Sequence, residues 1–169
     1  MTRSRAKAYR AVTMPELSDH RSRGVRALVL LHERELLAFF VTWRRALAWG
    51  VQLPPTENIH CASPEAMAHH VLRAARGYLV WLCEKFDLGD PGVAEPPAPG
   101  ELEAAGDAYL EGLLERWRTA LRDAPGERLE EAHTSRWGRP FTLESMLEHA
   151  VVHPMRHALQ LEEHMGDGV

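Results

Sequence analysis

Three histidines near the C-terminus have the spacing of metal ligands. His149, His153 and His157 follow one another at intervals of four residues, which places them on one face of an α-helix, about one turn apart. Two imidazoles at this spacing can bind one divalent ion, and neutral imidazole is a good ligand for Zn, Ni, Cu and Fe ions. Ten histidines in 169 residues also make such pairs common by chance, so satisfied or exposed histidines are the alternative.

The helix that carries these histidines has clear ends. Thr142 can cap its first amides, Glu144 suits the positive end of its dipole, and Gly166 can terminate it. A helical wheel places Gln160 on the same face as His153 and His157.

Three other amphipathic segments precede this helix. Apolar residues recur at steps of three and four over residues 19–49, 63–86 and 101–123. Residues 124–141 contain several glycines and prolines, which break helices. This segment is predicted to be a loop that could include a short pair of strands. The sequence therefore predicts an all-α four-helix bundle with long inter-helix connections, in which residues 19–166 form a single domain after a flexible tail of residues 1–18.

Composition excludes several classes of protein. No apolar run approaches the roughly 18–20 residues of a membrane span, and no secretory signal is evident. A formal net charge of −4 argues against a general nucleic-acid binder. Two cysteines offer no disulfide framework, which fits the cytoplasm.

Two more histidines are predicted to point inward. His70 shares the apolar face of the second helix, whereas its neighbour His69 shares a polar face with Arg73 and should point outward. His32 lies on the apolar stripe of the first helix, where it is either near the site or a core histidine hydrogen-bonded to a neighbour.

Rival metal sites fit less well. A di-iron bundle needs Glu-x-x-His on helices, but Glu57-x-x-His60 and Glu130-x-x-His133 fall in predicted loops. Cys61 and Cys83 lie more than two helical turns from His70 along a helix, so they are predicted to be structural thiols.

These motifs resemble the DinB-like (DinB/YfiT) family of bacterial four-helix-bundle metalloproteins, over most of residues 20–165. The resemblance rests on the histidine within Met67-Ala68-His69-His70-Val71-Leu72, on His153-x-x-x-His157-x-x-Gln160, and on Trp137-Gly138 followed by Thr142-Leu143-Glu144. Many relatives have Arg-Gly where this chain has Ala158-Leu159, and Pro154 here interrupts the hydrogen bonds of the last helix.

The resemblance implies a three-histidine site formed by His70, His153 and His157, with Zn or Ni as the divalent metal ion. The side chains around it would come from the set His149, Gln160, His32 and Arg156. Enzymatic relatives imply a thiol S-transferase or isomerase that uses a low-molecular-weight thiol cosubstrate such as bacillithiol or mycothiol, in a protein that is commonly a homodimer. The alternative is a non-catalytic, stress-associated metal-binding or interaction protein.

Overall fold

A computed structural model describes residues 20–166, and four helices dominate it. They are α1 (Arg23–Ala48), α2 (Pro64–Lys85), α3 (Leu102–Ala120) and α4 (Leu143–Gly166). The strands β1 (Ala132–Thr134) and β2 (Pro140–Thr142) form a small antiparallel hairpin before α4. This architecture confirms the mainly α prediction, and the hairpin is the short pairing expected within residues 124–141. The tail predicted for residues 1–18 lies outside the described residues.

Local capping explains where the helices begin. Ser63 Oγ accepts a hydrogen bond from Ala66 N at 3.1 Å, ahead of a proline at the first position of α2. Thr142 Oγ1 accepts one from Ser145 N at 3.0 Å and so starts α4 directly after β2. Ser22 Oγ accepts from Val25 N, which starts α1 four residues later than the apolar periodicity indicated.

The apolar faces of the four helices meet in one buried cluster. Its buried side chains come from all four helices and include Phe39, Phe40, Trp43, Leu72, Leu79, Leu113, Trp117 and Met146. Burial of this apolar surface is the main driving force that holds α2 and α4 side by side. None of the helices in residues 20–166 combines the length and the apolar character that a membrane span requires.

His32 replaces a hydrogen bond that Pro154 removes from α4. Pro154 lies inside the helix and has no N–H, so it cannot donate to the carbonyl of Ala150 four residues earlier. The Nδ1–H of His32 donates to that carbonyl at 2.8 Å instead, and the His32 ring packs against Trp117 at 4.1 Å between centroids. His32 is 1% exposed. The structure thus places His32 in the core, where it serves the backbone of α4.

This pairing predicts a coupled effect on stability. His32→Leu should lower the free energy of unfolding by about 2–3 kcal/mol, because it leaves the buried Ala150 carbonyl without a donor. In a Pro154→Ala background, the restored N–H can donate to that carbonyl, so the same change should cost about 1–2 kcal/mol less. Urea denaturation of the four metal-free proteins measures the cycle, and equal losses in both backgrounds would disprove the coupling.

Candidate metal centre

Two helices bring three histidines together in the interior of the bundle. His153 and His157 lie one turn apart on α4, and His70 faces them from α2. The ring centroid of His70 lies 4.9 Å from that of His153 and 5.2 Å from that of His157, and the centroids of the two α4 rings are 4.7 Å apart. One nitrogen from each of the three residues lies within 4.8 Å of the others. The helices therefore form a compact cluster of imidazole nitrogens.

The positions of the nitrogens fit a shared divalent ion. His153 Nε2 and His70 Nε2 are 3.1 Å apart, close to the separation of about 3.3 Å between two nitrogens that lie about 2.0–2.1 Å from one tetrahedral ion. The Nδ1–H of His157 donates to Gln160 Oε1 at 2.7 Å. That bond leaves the lone pair on His157 Nε2, which is buried without a hydrogen-bond partner in the described chain.

Burial keeps these histidines neutral. It lowers the pKa of His70 to about 4, with the charges of His157, His60 and the nearby arginines contributing. It lowers the pKa of His153 to about 2, again aided by the neighbouring histidines and Arg156. The pKa of His157 is also lowered by burial, against the effect of its bond to Gln160. Neutral imidazoles offer lone pairs at pH 7, which is the state that a metal requires.

An aromatic wall adjoins the cluster on one side. His149 packs against Tyr78, Trp137 and Phe141 at 5.3–5.8 Å between ring centroids, and its ring is 6.0 Å from that of His153. It lies one turn outside the group of three nitrogens that could hold an ion. His149 is therefore placed as part of the wall, and burial lowers its pKa.

The other side chains proposed from sequence occupy different places. Gln160 contacts His157 directly, while Arg156 is exposed and acts on the cluster through its charge, which lowers the pKa values of His70 and His153. His69 Nδ1 lies 2.9 Å from Pro97 O in the connection between α2 and α3. Of the adjacent pair, His70 is the one that reaches the cluster, whereas His69, which was expected to point outward, is half-buried against this connection.

His60 is a site residue that sequence reasoning missed. It lies in a short 3-10 turn (Ile59–Cys61) ahead of α2, and its ring stacks on His70 at 4.8 Å with an interplanar angle of 19°. Asn58 Oδ1 accepts a hydrogen bond from His60 N at 3.1 Å. An asparagine is a known turn signal because its side chain can bond the backbone two residues on, but it does not reveal which helix the turn contacts.

A cavity of about 240 Å³ opens beside His70. One face of α2 supplies most of its lining at helical spacing, namely His70, Arg73, Ala74, Gly77, Tyr78 and Trp81. The turn between β1 and β2 adds Arg136 and Trp137. The site is thus accessible to a small molecule from the α2 side.

Neither cysteine joins the cluster. Cys83 is buried, which raises the pKa of its thiol to about 11. Cys61 is partly buried, and Asn58 Nδ2 donates to its sulfur at 3.5 Å.

Comparison with models of protein families identifies a superfamily. A family model described as the DinB superfamily matches residues 39–161, which span all three clustered histidines. No curated protein and no solved structure shows significant similarity to the chain.

Proposed function

Because this chain belongs to the DinB superfamily, we propose that it is a metal-dependent enzyme of the thiol S-transferase or isomerase kind. The observation that carries the proposal is a cluster of three neutral histidines next to an open cavity. Three nitrogen ligands with one open position are typical of catalytic metal sites, whereas structural sites are closed by four protein ligands.

In this proposal His70, His153 and His157 hold the ion, with Zn or Ni as the expected metals. A bound ion would supply the positive charge that stabilises the anionic form of a thiol or a water at neutral pH. Gln160 fixes the ring of His157 so that Nε2 points into the cluster. Within residues 20–166, the group of possible ligands contains three histidines and no carboxylate. The protein ligands would therefore leave the positive charge of a bound ion uncompensated.

The wall residues would control water and orientation. Tyr78 packs edge-to-face on both His149 and His153, and burial raises the pKa of its hydroxyl to about 12. It therefore stays protonated and can donate a hydrogen bond into the cavity. Trp137 covers His149 from the hairpin side. These apolar surfaces limit the access of bulk water to a reacting thiol.

The proposed thiol transfer is a nucleophilic substitution at carbon, so it needs no oxidant or reductant. The thiol sulfur forms a bond to an electrophilic carbon, the leaving group departs with the electron pair of its former bond, and the thiol proton passes to solvent. A low-molecular-weight thiol such as bacillithiol or mycothiol is the proposed cosubstrate.

Monochlorobimane provides a direct test. Zinc- or nickel-loaded protein, incubated with the probe and a candidate thiol, should accelerate formation of the fluorescent thioether at least about tenfold over chelator-treated protein. The assay should use a Cys61→Ser background, because a partly exposed thiol can react with the probe itself. His164→Ala, on the same helix but outside the cluster, is the control for histidine loss. Metal binding without conjugation across bacillithiol, mycothiol and glutathione would instead favour a non-catalytic metal-binding protein.

A further inference from the structure

The cavity beside the histidines has a strongly cationic rim. Arg73 reaches it from α2, and Arg136 reaches it from the turn between the two strands. No acidic residue is among the side chains that line it. Cavities lined by one sign of charge attract ligands of the opposite sign.

Neither rim arginine has a carboxylate partner in the described part of the chain. Arg76, one turn after Arg73, is paired with Glu95 at 2.7 Å and also donates to Val93 O. No ion pair involves Arg73 or Arg136 within residues 20–166. Glu84 lies near enough to Arg136 to be affected by its charge, but its own hydrogen bond is to Lys85 Nζ. Both guanidinium groups therefore keep donors available for a ligand.

The hairpin that presents Arg136 is anchored to α2 and braced within its own turn by hydrogen bonds. Trp81 Nε1 donates to Thr134 O at 3.2 Å, which ties β1 to α2. Ser135 N donates to Arg139 O at 2.8 Å, and Ser135 Oγ accepts from Arg139 N at 3.1 Å. Gly138 closes the turn with φ of 76°, a conformation that other residues rarely adopt. These bonds thus fix the backbone of the turn, and the exposed side chain of Arg136 extends from it to line the cavity.

The floor of the cavity is shaped by two small residues on α2. Ala74 and Gly77 lie between the larger side chains of His70, Tyr78 and Trp81 on the same helical face. A Cβ added at Gly77 would meet Arg136 Nη1 at 3.9 Å and nothing nearer. The space above Gly77 is therefore bounded by the guanidinium of Arg136 itself.

We propose that this cavity binds a small organic anion with a flat apolar body, and that Arg73 and Arg136 hold its carboxylate. The aromatic rings of Tyr78, Trp81 and Trp137 form the walls against which the body stacks. Guanidinium groups bind carboxylates through charge-assisted, often bidentate, hydrogen bonds. The inference deepens the proposed function, on which it rests for the role of the ligand as substrate beside the histidines.

Aryl carboxylates and their amides test the proposal without an activity assay. Benzoate and 2-naphthoate are the probes, and benzamide and 2-naphthamide are uncharged molecules of the same shape. Isothermal titration of chelator-treated protein should show saturable binding of at least one carboxylate at millimolar concentration or below, and at least tenfold weaker binding of its amide.

Three variants locate the binding. Arg73→Gln and Arg136→Gln should each weaken carboxylate binding about tenfold or more, while Gly77→Leu should abolish it by filling the cavity. Arg139→Gln is the matched control, because this exposed arginine contributes only backbone groups to the same turn. The proposal would be overturned if the three test variants bound the carboxylate as tightly as the wild type does. Equal affinity for acid and amide, or no saturable binding by the wild type, would also overturn it.

The outcome is separable from that of the proposed function. Arg136→Gln should leave uptake of zinc unchanged, because Arg136 is outside the histidine cluster. Carboxylate binding to protein that takes up no metal would uphold the anion site and reject the metal enzyme. Metal uptake without discrimination between acid and amide would reject the anion site alone.

Discussion

His153→Ala is expected to abolish almost all binding of divalent metal by this protein. His153 lies close to both of the other histidines, with its Nε2 3.1 Å from that of His70 and its ring centroid 4.7 Å from that of His157. Without His153, only His70 and His157 remain as ligands, on two different helices. Two nitrogens do not complete the three-ligand site. The loss of affinity should exceed about 100-fold, the upper end of the effect of losing a supporting residue.

Metal analysis of protein purified without a histidine tag measures this directly. Wild-type protein should contain about one ion per chain, and competition with a chromophoric chelator should give the affinity of each variant. Gln160→Leu should fall in between, about 10–100-fold weaker, because it frees the ring of His157 without removing a ligand. His164→Ala should match the wild type. A well-folded wild-type protein that takes up no divalent ion would reject the site.

The metal-free protein is expected to lose stability steeply in acid, and His32 should contribute a separable part of the loss beside His70 and His153. Burial lowers the pKa of His32 to about 4, against an ordinary value of 6.5. The folded state therefore favours the neutral ring, whose contribution to stability is fully present above pH 6.5. As the pH falls from 6.5 to 4, the unfolded chain takes up a proton that the folded chain does not, and about 3 kcal/mol is lost.

His32→Asn separates this effect from the titration of other groups. The asparagine Nδ2 can donate to Ala150 O in place of the imidazole N–H, but asparagine does not titrate in this range. The free energy of unfolding, measured by urea denaturation from pH 7 to pH 4, should fall by about 3 kcal/mol less in His32→Asn than in the wild type. Parallel pH profiles for the two proteins would show that His32 does not titrate with folding.

The sequence was sufficient to predict the helices, because the signals that define them are local. In the structure, α2 begins at Pro64 after the cap Ser63, as the sequence predicts. A cap can be recognised locally because it needs only the amides of the next turn. The same reasoning predicted that His153 and His157 lie together, because four residues along a helix always bring two side chains to one face. Their approach to His70 followed from the apolar face of α2, together with the resemblance to a known family.

Only the tertiary structure decided which side chains surround the cluster. Trp81 Nε1 reaches Thr134 O across 53 residues and thereby brings Arg136 and Trp137 to the cavity. His60 meets His70 because a turn folds back on α2, and His32 finds the one helical carbonyl that Pro154 leaves without a donor. These contacts depend on the path of loops and on pairs of distant residues, which no local periodicity encodes. Sequence thus determined the helices and the clustered histidines, whereas packing between distant segments determined the wall, the cationic rim and the role of His32.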